Sequence, residues 1–246
     1  MTIREDLSEI IKISRFRFWI YTAGPYVVGY TLGATGFEDF LKIEYYIYLF
    51  YFFFPANILI YGINDYIDVE TDQFNPKKDI KELRLTDSNK KKIKRLLIAV
   101  ISISVLLMTI QDPLGQIVFP IFLLLSIFYS APPLRFKKRP FLDFASNYLY
   151  IMPGIFGYYI VSGLLPAPTI LLAGLLHTSS MHIFSAIIDV EYDKRVGIKT
   201  TPVFIGKNAA FALVTFFWIG LVYLSVTLTN FHPLSFLTII YPIIPI

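Results

Sequence analysis

The residues most able to do chemistry lie in a short acidic stretch at positions 64–72. Asp65, Asp68 and Asp72 are spaced by three and then four residues, so a helix would carry them on one face. Carboxylates gathered in this way repel one another unless a cation lies among them, and hard oxygen ligands suit Mg²⁺. We therefore predict a magnesium site in which these three aspartates are metal ligands and catalytic residues.

The residues before this stretch place it at a membrane surface. Residues 45–63 are mostly apolar and, as a helix, are long enough to cross the hydrocarbon core of a bilayer. Carboxylates at the end of such a helix are costly, because they lie close to the membrane and oppose the helix dipole. This placement strengthens the prediction of a bound cation.

The acidic motif occurs twice. The hexapeptide at 67–72 recurs 121 residues later at 188–193, with Ile-Asp-Val-Glu-x-Asp in both copies. Asp189 and Asp193 therefore correspond to the last two aspartates of the first motif, and we predict that they too are metal ligands and catalytic residues. Two such clusters would suit a diphosphate held by two metal ions.

The offset between the copies predicts an internal repeat. Four spans in each half, related in parallel, account for it most simply. The chain is then a single domain, 1–246, with pseudo-repeats at roughly 1–131 and 132–246. Functional sites in membrane proteins of this kind lie where the repeats meet. We expect a central cavity there that opens to the cytoplasmic face.

Composition and hydropathy predict a polytopic, all-α transmembrane bundle. The chain is 55% hydrophobic and 16% charged, with a mean hydropathy of +0.60, whereas a soluble domain carries about 25% charged residues. Residues 1–15 are expected to form a surface helix, and an incomplete last span is expected at 233–246. Full apolar spans are expected near 16–35, 45–64, 95–111, 114–131, 143–163, 168–188 and 209–229.

The distribution of charge supports this topology. With these spans, all of the 22 Lys and Arg residues except Lys42 fall on one side of the membrane. Cytoplasmic loops carry such an excess of basic residues, so the N-terminus and both acidic motifs are expected to face the cytoplasm. The net charge of +4 has this explanation, and no nucleic-acid partner is expected. Most of the aromatic side chains are expected at lipid or at the membrane interface, and some in a pocket that stabilises a carbocation.

Further polar residues lie near the acidic motifs and are predicted to bind substrate. Some of them lie within a predicted span, on the same helix face as the aspartates of a motif. Basic residues that follow each motif would neutralise the charge of a diphosphate. A Pro-Pro turn at 132–133 ends another span beside a tyrosine and an arginine. The histidine of this set is either a base or a helix-packing residue. The set comprises Asn57, Asn64, Lys78, Tyr129, Arg135, His182 and Lys194.

These motifs resemble the UbiA superfamily of intramembrane prenyltransferases over roughly residues 10–210. The resemblance rests on the aspartate motif that begins at Asn64, on the turn from Tyr129 to Arg135, and on the pair at 189–193. It implies an integral membrane enzyme in which Mg²⁺ and both aspartate motifs bind the diphosphate of an isoprenoid donor.

A narrower resemblance concerns the substrate. The segments 14–19, 54–65 and 184–189 are similar to those of lycopene elongases of C50 carotenoid pathways. This implies a prenyl diphosphate donor and a lipophilic acceptor such as lycopene. An aromatic quinone precursor and an archaeal lipid glycerol phosphate are alternative acceptors. A divalent-cation or isoprenoid-phosphate transporter is the alternative of a different class.

Overall fold

The computed structural model describes residues 3–69, 85 and 87–244, and within that part of the chain all regular structure is helical. This confirms the all-α prediction. The described residues include five 3₁₀ segments, at Phe16–Phe18, Phe37–Leu41, Phe136–Lys138, Ser146–Tyr150 and Pro233–Ile239. The α-helices are α1 (Ile3–Ser14), α2 (Ile20–Gly33), α3 (Ile43–Phe53), α4 (Pro55–Ile67), α5 (Asp87–Thr109), α6 (Gly115–Ser130), α7 (Leu142–Ala145), α8 (Met152–Ser162), α9 (Pro168–Ile188), α10 (Val190–Arg195), α11 (Thr201–Ile205), α12 (Lys207–Leu228) and α13 (Ile240–Ile243).

Three helical stretches of the described chain are long and apolar enough to cross a membrane. They are Ile43–Ile67, Pro168–Ile188 and Lys207–Leu228. The first joins α3 to α4 through Phe54, and Pro55 opens α4 at a position where its missing N–H costs nothing. Gly115–Ser130 and Pro233–Ile243 are apolar but shorter.

One predicted span has a different structure. The stretch at 143–163 is broken into α7, a 3₁₀ segment and α8, rather than one helix. The side chains of Ser146 and Asn147 donate to the carbonyl of Asp143, and so compete with the helical backbone pattern. Pro153, the second residue of α8, supports a new helix start at this point.

The chain divides into two compact units. The first comprises Met1–Leu134 and Met152–Leu165, and the second comprises Arg135–Ile151 and Pro166–Ile246. The first unit therefore contains α1 to α6 and α8, while the second contains the remaining helices.

Helices α2 and α8 of the first unit pack at very short range. A Cβ atom built on Gly29 would collide with the backbone of Gly154, and one on Gly33 would lie 2.8 Å from the carbonyl oxygen of Tyr158. Gly157 faces the carbonyl of Tyr26 in the same way. Small residues let membrane helices approach until their backbones touch, and here the spacing of Gly29 and Gly33 is the familiar small-xxx-small pattern.

This contact leads to a prediction about stability. Gly29→Ala should lower the free energy of unfolding by about 1–3 kcal/mol, because the added methyl group forces α2 and α8 apart. Gly24→Ala on the same helix is the matched control, since its Cβ would meet only the side chain of Ile20 at an ordinary 3.4 Å. Thermal unfolding in detergent measures both variants. Equal melting temperatures would contradict the close packing.

Aromatic side chains form the centre of the first unit. Tyr51, Phe52, Phe119 and Phe156 are at most 1% exposed, and the ring centroids of Phe52 and Phe119 are 6.2 Å apart. The hydroxyl of Tyr51 is hydrogen-bonded to Ser104 at 2.7 Å, which offsets the cost of burying it. Tyr51, Phe52 and Phe156 are therefore among the aromatic side chains that pack inside the protein.

The second unit is held together by the packing of α9 against α12. Its buried cluster includes Ile183 and Ile187 from α9, and Val214 and Trp218 from α12. This packing fixes α9 as the support for the second acidic motif, which begins where α9 ends.

Candidate functional site

The first acidic motif lies at the end of α4. Asp65 occupies the last turn and is 1% exposed, while Asp68 follows the helix and is 7% exposed. The backbone N–H of Asp68 donates to the carbonyl of the half-buried Asn64 at 3.0 Å. Asp72 lies outside the described residues. Asp65 and Asp68 are therefore two buried carboxylates about one helical turn apart, as their spacing predicts.

Asp65 is paired with an arginine from the start of the chain. The Nη2 atom of Arg15 lies 2.9 Å from Oδ1 of Asp65, and the two side chains are 11% and 1% exposed. Buried carboxylates need such a partner, because burial penalises the charged form. The guanidinium of Arg15 also lies over the ring of Tyr61, 4.6 Å from its centroid. Asp65 thus has a cationic partner in the protein itself.

Sequence reasoning did not assign Arg15 to the site, although a signal was present. Arg15 and Arg135 are 120 residues apart, and each is followed by a phenylalanine. Both have positive φ angles, 50° and 42°, and both precede a 3₁₀ segment. The separation of these two arginines therefore matches, to within one residue, the 121-residue separation of the two acidic motifs.

Asn57 is wholly buried in the first unit. Its amide nitrogen donates to the hydroxyl of Thr22 at 2.8 Å and to the carbonyls of Phe52 and Phe53 at 3.1 Å. Its Oδ1 atom has no hydrogen-bond partner within the described part of the chain. These contacts tie α4 to α2 and to the end of α3, and a role in substrate binding stays a prediction.

The second acidic motif lies at the junction of α9 and α10. Asp189 is the residue between the two helices, and its carbonyl accepts from the N–H of Asp193 at 2.8 Å. Asp189 is half-buried and Asp193 is buried, so the two carboxylates occupy successive turns as the spacing predicted.

Asp193 lies in a site that disfavours its charge. Burial raises the pKa of the Asp193 carboxyl to about 6, while a hydrogen bond from Thr200 opposes that increase. The Thr200 hydroxyl donates to Oδ2 of Asp193 at 3.2 Å. A buried carboxylate of this kind is the type of group that a cation would stabilise.

A polar network that the sequence did not predict supports the loop after this motif. Asp143, from α7, is 0% exposed and accepts from the backbone N–H of Thr201 at 2.7 Å and from its hydroxyl at 2.5 Å. Because Thr200 immediately precedes Thr201, these hydrogen bonds also hold in place the threonine that contacts Asp193. Nothing in the spacing of these residues connects 143 with 201.

The remaining predicted substrate-binding residues lie in different places. Tyr129 is half-buried in the last turn of α6, Arg135 is half-buried before a 3₁₀ segment, and Lys194 is exposed on α10. Lys78 lies outside the described residues. His182 is on α9, with its Nε2 atom 3.7 Å from Oδ2 of Asp143, a distance too long for a hydrogen bond.

The donor chemistry of both motifs fits Mg²⁺. Carboxylate oxygens are the ligands that this ion prefers, and Asp65, Asp68 and Asp193 are buried carboxylates. Among the residues that the structure describes, no three His, Cys, Asp or Glu side chains gather closely enough to hold a metal. The assignment of metal ligands therefore rests on residue chemistry, and it stays a prediction.

Comparison with known proteins identifies relatives along most of the chain. Residues 22–246 match the model of the UbiA prenyltransferase family. A lycopene elongase/hydratase of Haloarcula japonica is 37% identical over 214 residues, which are 87% of this chain and 72% of that protein. The corresponding enzyme of Halobacterium salinarum is 38% identical over 213 residues, covering 85% of this chain and 76% of that protein.

The fold also matches a solved structure. A UbiA homolog from Archaeoglobus fulgidus, determined with GPP and Mg²⁺ bound, superposes with a TM-score of 0.76. The match covers 96% of this chain and 85% of that chain at 22% identity. The family match and the curated relatives confirm the resemblance seen in the motifs. This chain belongs to the UbiA prenyltransferase family of integral membrane proteins, and it is a prenyltransferase.

Proposed function

We propose that this prenyltransferase transfers an isoprenoid group from an allylic prenyl diphosphate to an uncharged, carotenoid-like hydrocarbon within the membrane. The observation that carries the proposal is the 37–38% identity to enzymes named lycopene elongase/hydratase. The two acidic motifs also support it, since each lies at the C-terminal end of a helical stretch that is long and apolar enough to span a membrane.

The donor diphosphate is proposed to bind at the two motifs. Asp68, Asp72, Asp189 and Asp193 hold Mg²⁺, and Asp65 contributes a fifth carboxylate that Arg15 orients. When bound, Mg²⁺ neutralises charge on the diphosphate and makes it a better leaving group. Lys78, Arg135 and Lys194 are proposed to bind the diphosphate oxygens directly. Asn57, Asn64 and Tyr129 are proposed to position the donor.

The reaction that follows needs no covalent attachment to the protein. The allylic C–O bond breaks, and its electron pair leaves with pyrophosphate. A carbon–carbon double bond of the acceptor supplies the electron pair for the new bond, and the product then loses a proton. Apolar and aromatic side chains keep water away from the cationic species.

An uncharged acceptor is preferred over the alternatives. An aromatic acid or a glycerol phosphate would need an additional cation for its own negative charge, whereas the guanidinium of Arg15 is already paired with Asp65. We also propose that the acidic motifs face the cytoplasm, because the basic residues lie on that side of the expected topology. Transport of a cation or of an isoprenoid phosphate is the competing function.

The proposal predicts a metal-dependent product. Purified protein in lipid, supplied with an allylic diphosphate and lycopene, should release pyrophosphate and form a longer hydrocarbon that mass spectrometry detects. EDTA should abolish both signals, and added Mg²⁺ should restore them. Parallel reactions with an aromatic quinone precursor and with a glycerol phosphate lipid serve as controls. Full activity in EDTA, or transfer only to a charged acceptor, would overturn the proposal, and uptake of ions without product would favour transport.

A further inference from the structure

Asp143 is a buried carboxylate that the proposed donor site does not use. Its side chain accepts two hydrogen bonds from Thr201, and the hydroxyl of Thr201 in turn accepts from the N–H of Phe141 at 2.7 Å. In the described part of the chain no lysine or arginine pairs with Asp143. Two hydrogen bonds offset only part of the cost of burying a charge, so a further cation beside it would be favourable.

The group that faces Asp143 is an imidazole. Nε2 of His182 lies 3.7 Å from Oδ2 of Asp143, and this nitrogen is buried without a hydrogen-bond partner among the described residues. A small rotation of the ring would bring the two atoms into hydrogen-bond range, as occurs when such pairs tighten on binding substrate. The carboxylate then holds the Nε2–H form of the ring, leaving the lone pair of Nδ1 to accept a proton.

His182 also has a suitable position along α9. It precedes Asp189 by seven residues, which places both on one helix face with His182 about 10 Å nearer the start of the helix. Its side chain is 16% exposed, so it is not sealed within the core. A donor held through its diphosphate at Asp189 would place its reacting carbon beyond the diphosphate, in the direction of His182.

We propose that His182 is the base that removes the proton from the prenylated acceptor, with Asp143 as its positioning residue. This rests on the proposed function. After the new carbon–carbon bond forms, the acceptor carries a positive charge. The C–H bond next to that charge gives its electron pair to a new double bond, and the proton passes to Nδ1 of His182. The carboxylate of Asp143 stabilises the imidazolium, which then returns the proton to water.

The test uses His182→Ala in the full-length protein. Product formation should fall about 100-fold, whereas the affinity for the donor in the presence of Mg²⁺ should not change. Added imidazole should restore the product, because it fits the vacated space and is basic. Pyrazole has the same shape but is a far weaker base, so it should not restore the product. His177→Ala, on the same helix, should behave as wild type.

Several outcomes would overturn the inference. The inference is wrong if His182→Ala forms as much product as wild type, or if pyrazole rescues this variant as well as imidazole does. It is also wrong if the wild-type product carries an added hydroxyl and has lost no proton. Asp143→Asn, which keeps the size of the side chain, should lower product formation without weakening donor binding. If wild-type protein transfers no prenyl group to any acceptor, the proposed function itself fails. If the wild-type protein transfers prenyl groups and His182→Ala does so at the same rate, the proposed function stands and only the role of His182 is refuted.

Discussion

Replacing Asp68 or Asp189 with asparagine lowers the rate of prenyl transfer by about 100- to 1,000-fold, while the helices remain folded. Each change keeps the size of the side chain and removes the negative charge of a carboxylate that we propose to bind Mg²⁺. Pyrophosphate release and mass spectrometry of the lipid product measure the loss, and circular dichroism measures the retained helix content.

Glu191→Gln is the matched control for this prediction. Glu191 lies between the two aspartates of the second motif, and its exposed side chain is 3.4 Å from Lys207. It should leave transfer unchanged, since its carboxylate is off the metal-binding face. Full activity in both aspartate variants would refute the metal assignment, and an equal loss in Glu191→Gln would show that charge at the surface matters instead.

Arg15→Gln lowers the free energy of unfolding by about 3 kcal/mol, because it leaves the buried Asp65 without its guanidinium partner. Adding Asp65→Asn should recover most of that stability, since the double variant no longer buries the charge. The double variant should still be inactive if Asp65 is also a metal ligand. Thermal unfolding and product formation are measured on the same preparations.

These two readouts separate the structural role of Asp65 from its catalytic role. A double variant no more stable than Arg15→Gln would show that the ion pair does not hold the site together. A stable and active double variant would show that Asp65 is not a metal ligand, and Asp68 and Asp72 would remain the proposed ligands of the first motif. Arg17→Gln, at an exposed position two residues away, controls for loss of a basic residue.

Several features of the protein follow from local sequence. The carboxylates at 65 and 68 lie in successive turns at the end of α4, because their spacing matches the helical repeat. The apolar run at 168–188 coincides with α9, and the run at 209–229 with α12, because long apolar segments form helices whose backbone groups bond internally. The family resemblance likewise rests on motifs of a few residues.

Two other features could not be read from hydropathy, because they depend on what the chain packs against. Hydropathy predicted one span at 143–163, but Ser146 and Asn147 bond to the backbone and Pro153 supports a new helix start. Phe52 is as apolar as a lipid-facing residue, and its place in the core depends on rings from other helices. The hydrophobicity of a side chain indicates that it avoids water, but it does not distinguish a position that faces lipid from one that packs inside the protein.

By itself the sequence determined the class of fold, the family and the position of both acidic motifs at the ends of apolar helices. Tertiary structure decided which partner each buried charge has. Asp65 meets Arg15 across 50 residues, and Asp143 meets Thr201 across 58. The physical reason is that periodicity places a side chain on a helix face, whereas an ion pair or hydrogen bond requires two faces to be brought within about 3 Å of each other.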